Sequence, residues 1–137
     1  MSFDLSRFTS AQAGVYDQAL AELKAGCKRS HWMWFVFPQI AGLGSSPTAR
    51  RYAIASLEEA RAYLADPVLG PRLIESATAL LAVEGRTAEE ILGYPDDLKL
   101  RSSMTLFARA APQTKVFQEV LDRYYDGKPD PQTLNKV

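Results

Sequence analysis

Helix start and stop signals recur along the whole chain, and they constrain its fold more than any other feature. Hydroxyl residues followed by proline, or by a glutamate three residues later, are typical of helix N-termini. These start signals are Ser46-Pro47, Ser56 with Glu59, and Thr87 with Glu90. Glycines follow several apolar stripes, where they favour the end of a helix. The pattern therefore predicts an all-α protein.

Apolar residues at helical spacing place the predicted helices between these signals. Thr9 with Gln12 predicts the start of the first helix, at about 10–25, and Gly26 predicts its end. Further helices are predicted at about 47–53, 56–65, 71–85 and 87–93, then from Pro95-Asp96, and from Thr114 to Gly127. The tail from Asp130-Pro131 reads as one loosely docked turn. We expect a single compact domain, 1–137, of about seven helices and no secure strand.

Composition excludes several classes of function. Lys and Arg total 16, as do Asp and Glu, so nucleic acid is an unlikely partner for this neutral chain. The longest apolar run, Trp32 to Phe37, is too short to span a membrane. One cysteine, Cys27, and no basic-then-apolar leader at Met1-Ser2 predict a cytoplasmic protein. Nothing in the sequence indicates an oligomeric state.

The segment from Lys28 to Gln39 holds both tryptophans and the single histidine beside a basic pair. Its apolar run suits either a strand or a short helix at 31–35, capped by Ser30 and ending before Pro38. Trp32 and Trp34 are two positions apart, so on a helix they point in different directions. We expect one ring to enter the core and the other to line a surface or cleft.

A metal site is not predicted here. Cys27 and His31 have a spacing that metal sites use on helices, but the chain has no further Cys or His. His31 could serve as a ligand contact or a base, or simply bond to the backbone. No cofactor is predicted.

A second dense cluster runs from Asp96 to Thr105. The acidic pair at its start complements the helix dipole. Lys99, Ser102 and Ser103 are three and four positions apart and can share a face suited to holding an anion. Alternatively, the two serines permit close helix packing. Because one core should bring the two dense segments together, we expect 28–39 and 99–105 to lie side by side.

Several segments of the chain resemble the bacterial domain of unknown function 1810. The matching residues are Lys28 to Gln39, Gly42 to Gly44 with Ser46, Glu59-Ala60, Tyr63-Leu64, Pro67, Leu69-Gly70, Arg72-Leu73, and Lys99-Leu100 with Ser102 to Phe107. The resemblance covers nearly the whole chain and implies a compact all-α fold without an established activity. Some members carry the label calpastatin, which nothing in these residues supports.

The pattern from Leu69 to Phe107 is also faintly similar to the N-glycosidase family acting on ADP-ribose-type compounds and phosphorylated riboflavin intermediates. The glutamate-histidine-tyrosine block of that family is absent, so no catalytic residue is transferred.

These features suggest a small protein that binds, or turns over, a phosphorylated or nucleotide-like molecule. Aromatic rings would stack on a base while the basic residues hold the phosphate. The predicted ligand-binding residues are Lys28, Arg29, His31, Trp32, Trp34, Gln39, Lys99, Ser102 and Ser103. The alternative is a non-enzymatic module whose Trp-rich patch docks a partner protein.

Overall fold

A computed structural model describes residues 3–137, and this part of the chain is all-helical. It contains ten helices, six of which have seven residues or more. They are α1 (Ser6–Gln12), α2 (Tyr16–Ala25), α3 (Met33–Val36), α4 (Pro47–Arg51), α5 (Leu57–Ala65), α6 (Leu69–Ala82), α7 (Ala88–Leu92), α8 (Asp96–Ala110), α9 (Val116–Tyr125) and α10 (Pro131–Leu134). Within these residues the only extended pairing is an isolated parallel bridge between Ile40 and Ile54.

Local capping explains where several helices begin. The Ser46 and Ser56 hydroxyls accept from the backbone N–H three residues on, at 3.1 Å in both cases. Thr87 and Glu90 form a complete capping box. Gly93 then ends α7 with a φ of 82°, which glycine adopts without strain. These starts and this stop were predicted correctly because all their partners lie within one helical turn.

The predicted helix at 10–25 is wrong as a single element. Gly14, with a φ of 73°, separates α1 from α2. The proposed capping box also does not form, because Thr9 lies inside α1 and bonds to the Ser6 carbonyl. Gln12 instead donates to the Phe35 carbonyl at 2.7 Å, 23 residues away. The Gln12 side chain, which its spacing from Thr9 predicted to cap the helix, therefore makes a tertiary hydrogen bond instead.

Other helix boundaries also differ from the predictions. The segment 32–37 is helical over Met33–Val36, and Ser30 does not cap it. Helix α6 begins at Leu69, so Pro71 lies inside its first turn. The tail is firmly docked rather than loose, since Thr133 is fully buried. The short α10 and the split of the first helix raise the count above the expected seven.

Helix α8 is the centre of the fold. It packs against α5, α7, α9 and α10. The Phe107 ring of α8 packs against α5 and α9: its centroid lies 5.5 Å from that of Tyr63 and 5.7 Å from that of Phe117. Buried small side chains such as Ser102 and Ser103 let the other helices approach closely. No helix of residues 3–137 combines the length and apolarity that crossing a membrane requires.

A candidate binding cleft at Trp34

The loop between α2 and α3 is held by a buried carboxylate, that of Glu22. Its Oε1 accepts from the Arg29 N–H at 2.8 Å and from the Trp32 indole N–H at 2.8 Å. The Ser30 backbone N–H donates to Oε1 at 3.1 Å, and the Ser30 hydroxyl donates to Oε2 at 2.7 Å. One carboxylate therefore fixes the whole approach to α3, a role that was not predicted from the sequence.

Burial by itself raises the pKa of the Glu22 carboxyl, because desolvation disfavours the charge. The hydrogen bonds from Arg29, Ser30 and Trp32 outweigh that effect and lower the pKa to about 2. Glu22 is consequently ionised at neutral pH, which makes its hydrogen bonds charge-assisted and strong.

The end of α3 is anchored by a second buried polar group. The Gln12 amide donates to the Phe35 carbonyl at 2.7 Å and to the Tyr63 hydroxyl at 3.2 Å. Burial raises the pKa of the Tyr63 hydroxyl, which stays protonated and donates to the same carbonyl at 3.4 Å. With α3 held at both ends, the two tryptophan rings take fixed directions.

The two tryptophans have different surroundings, as the sequence predicts. Trp32 is 1% exposed and belongs to the hydrophobic core. Trp34 is half-buried, and its ring lies under the Lys99 ammonium, with 3.9 Å from Nζ to the ring centroid. Within residues 3–137 the Trp34 indole N–H makes no hydrogen bond, unlike that of Trp32. Trp34 is therefore the more accessible of the two rings.

Three charged groups meet beside these rings. Asp96 Oδ2 lies 2.9 Å from Lys28 Nζ, and Asp96 Oδ1 lies 3.1 Å from Lys99 Nζ. Lys28 Nζ is also 5.2 Å from the Trp32 ring centroid. None of the three charged side chains is more than 20% exposed. Asp96 complements the helix dipole, as its position in α8 predicts, but it also joins the two dense segments of the sequence.

Two adjoining depressions open at Trp34 and Lys99, and we call them together the Trp34 cleft. The first has a volume of about 360 Å³ and is lined by Lys28, His31, Trp32, Met33, Trp34, Phe35, Thr48, Asp96 and Lys99. The second has a volume of about 500 Å³ and is lined by Trp34, Gln39, Leu43, Gly44, Pro95, Leu98, Lys99, Arg101, Ser102, Asp130 and Gln132. The segments 28–39 and 99–105 thus lie side by side, as predicted.

Seven of the nine predicted binding residues line the cleft, and two do not. Arg29 is exposed and contributes its backbone N–H to Glu22. Ser103 is fully buried, and its hydroxyl has no hydrogen-bond partner in the described part of the chain. Ser102 reaches the cleft, but it donates to Asp130 at 2.9 Å. Cys27 and His31 lie in the loop after α2 rather than on one helix.

The C-terminal tail supplies a wall that the sequence did not predict. Asp130 Oδ2 accepts from the Thr133 N–H at 3.2 Å, which caps α10, and from the Ser102 hydroxyl. The Asp130 N–H donates to the Thr105 hydroxyl at 2.8 Å. These bonds fix the tail on α8 and place Gln132 at the rim. The pair Asp130-Pro131 has the form of a helix start, which was the available signal.

The fold and the cleft define a class: a small all-α domain with an aromatic, lysine-bordered depression on one side. The chain matches the model of the family described as "Protein of unknown function (DUF1810)" over residues 2–137, and it belongs to that family. The family resemblance seen in the sequence is thereby confirmed.

A solved structure shows the same fold. The conserved hypothetical protein Rv1873 from Mycobacterium tuberculosis, known from a crystal structure, is 58% identical to this chain. The match covers 98% of this chain and 96% of that one, with a TM-score of 0.97. No curated protein matches the chain. The similarities therefore establish family and fold and assign no activity.

Proposed function

We propose that this protein binds a small phosphorylated or nucleotide-like molecule in the Trp34 cleft. The observation that carries the proposal is the half-buried Trp34 ring under the Lys99 ammonium, in a cleft that Lys28 also lines and that both dense segments of the sequence build. Ligand sites commonly combine an aromatic wall with a few converging polar groups.

The aromatic part of the proposal rests on Trp34. An indole face stacks on a planar base, which contributes about 1–3 kcal/mol per base in nucleic-acid complexes. The indole N–H of Trp34 is free to donate to the same ligand. Gln39 lines the same depression, and its backbone carbonyl is held by the Ile54 N–H at 2.8 Å. An indole ring and a side-chain amide on a fixed backbone together suit a flat, polar heterocycle.

The charge of the cleft supports an anionic ligand, although the whole chain is neutral. The cationic lining residues are Lys28, Lys99 and Arg101, and the carboxylates are Asp96 and Asp130. Asp130 is already committed to Ser102 and Thr133. The lining therefore carries a net positive charge, which favours a phosphate over a neutral or cationic molecule.

Thermal-shift screening against nucleotides and sugar phosphates, followed by calorimetric titration, tests the proposal. Trp34→Ala and Lys99→Met should each weaken binding at least about tenfold, since each removes about 1.4 kcal/mol or more of contact. Tyr94→Ala and Lys115→Met are matched controls, because both residues lie outside the cleft lining and should leave affinity unchanged. Unchanged affinity in the Trp34 and Lys99 variants would contradict the proposal.

A second candidate function is docking of a partner protein on the aromatic side of the cleft. Tyr94 is 72% exposed just before α8, and Leu98, which lines the cleft with Trp34, is 47% exposed in the first turn of α8. Large exposed apolar side chains next to a cleft favour recognition of another protein. Tyr94→Ala separates the two candidates, because Tyr94 lies outside the cleft lining: the variant should weaken protein docking and preserve small-molecule binding.

We also propose that the protein works in the cytoplasm. The single cysteine, Cys27, is free and partly exposed, and this suits a reducing compartment. Fractionation of cells that express the native protein tests this location.

A further inference from the structure

The Asp96 carboxylate lies between two lysines that come from different parts of the chain. Lys28 belongs to the loop before α3, and Lys99 lies one turn further along α8. Each ammonium contacts a separate carboxylate oxygen, at 2.9 Å and 3.1 Å. Lys28 also lies near the Trp32 ring, and Lys99 lies over the Trp34 ring. The three charges form a partly dehydrated unit on the wall of the cleft, unlike an exposed surface ion pair.

This arrangement has the form of an occupied anion site. Two oxygens of one phosphoryl group can each accept from one lysine, as the two oxygens of Asp96 do here. A phosphoryl group at the same place would meet the negative charge of Asp96. Because that repulsion is strong at contact distance in a partly dehydrated site, the carboxylate and the phosphoryl group cannot share both lysines freely.

We infer that Asp96 is a specificity-determining residue that holds the ligand's anion position in the free protein. An incoming phosphoryl group displaces the carboxylate from at least one lysine. Inorganic phosphate gains too little binding free energy to displace the carboxylate, whereas a molecule that also stacks on Trp34 gains enough. The cleft thereby selects phosphorylated compounds with a planar group over free phosphate. The inference rests on the proposed function for the identity of the full ligand.

Asp96→Asn tests the inference, because it keeps the side-chain shape and removes the charge. The measurement is the melting temperature against inorganic phosphate at constant ionic strength, which yields an apparent affinity. Asp96→Asn should bind inorganic phosphate about tenfold more tightly than the wild type, since one repelling charge is gone. Glu89→Gln, which removes an exposed first-turn carboxylate outside the cleft lining, is the control and should match the wild type. Equal phosphate affinity in Asp96→Asn and the wild type would overturn the inference.

A double variant checks where the phosphate binds. Adding Lys99→Met to Asp96→Asn should abolish the gain, and a gain that persists would overturn the inference. If Asp96→Asn unfolds in phosphate-free buffer because its lysines repel each other, phosphate should restore its helical circular dichroism. Failure to restore the signal counts against the inference equally.

A parallel arm with adenosine monophosphate separates this inference from the proposed function. If adenosine monophosphate and sugar phosphates fail to bind while Asp96→Asn gains phosphate affinity, the proposed function fails and the role of Asp96 stands. If adenosine monophosphate binds the wild type while Asp96→Asn gains no phosphate affinity, the proposed function stands and the role of Asp96 is refuted.

Discussion

Truncation of either tryptophan should separate a core ring from a ligand-facing ring. Trp32 is 1% exposed and packs with Phe37, with 6.3 Å between ring centroids. Removing a fully buried Trp side chain costs about 3–5 kcal/mol, because contacts are lost and a cavity remains. Trp34 is half-buried, and its truncation loses mainly the contact with the Lys99 ammonium. That loss is worth about 1 kcal/mol.

The assay is urea unfolding followed by far-UV circular dichroism, with thermal melts in parallel. Trp32→Ala should lower the melting temperature by about 10 °C or more, and Trp34→Ala by about 2–4 °C. Trp32→Phe is an informative intermediate, since it keeps a ring but removes the indole N–H that donates to Glu22 at 2.8 Å. Equal and severe destabilisation by the two alanine variants would refute the reasoning and show that the whole block is core.

Three further outcomes are expected. Glu22→Gln should make the free energy of unfolding fall less steeply in acid than it does in the wild type. The folded-state pKa of Glu22, about 2, lies below the ordinary 4.5, so the ionised carboxylate stabilises the wild type above pH 4.5 and this stabilisation is lost towards pH 2. A parallel fall of both proteins in acid melts would contradict this. Gly70→Ala should lower the free energy of unfolding in urea by about 2–3 kcal/mol, because the added Cβ would lie 2.0 Å from the Leu64 carbonyl oxygen and force α5 and α6 apart. A melt like that of the wild type would show that the two helices separate without cost. Asp130→Ala should cost about 1–2 kcal/mol by removing the α10 cap and the bond to Ser102; no loss in urea unfolding would mean that the tail docks without it.

Helix starts could be predicted from the sequence wherever the partners are local. Ser46, Ser56 and Thr87 cap helices through groups three residues away, so spacing alone identifies them. Gln12 has the right spacing from Thr9, yet a carbonyl in α3 is its partner. A spacing rule cannot detect such competition, because the competing group comes from a distant part of the chain.

The candidate site was predictable in the same partial way. Aromatic and basic residues concentrated in two segments indicated that 28–39 and 99–105 meet, and the contact of Lys99 with Trp34 confirms it. Residue type could not show which partner each charge would take. Asp96 was therefore interpreted only through the helix dipole, and Ser103 was placed in the site although α8 buries it.

The tail shows a further limit of sequence reasoning. The hydrogen bonds of Asp130 to Ser102 and Thr105 cross 28 and 25 positions of the chain. No periodicity links residues that far apart, so the second wall of the cleft could be found only in the folded structure.

The most direct test of ligand binding at Trp34 is a nuclear magnetic resonance titration of the two indole N–H groups. The chain has only two tryptophans, so Trp32→Phe and Trp34→Phe assign both signals. Trp32 donates to Glu22 in the core and serves as the internal reference, whereas Trp34 lines the cleft. With adenosine monophosphate as the probe, the Trp34 signal should shift and saturate while the Trp32 signal stays in place. Saturable binding that leaves the Trp34 signal unmoved would contradict a ligand site in the Trp34 cleft.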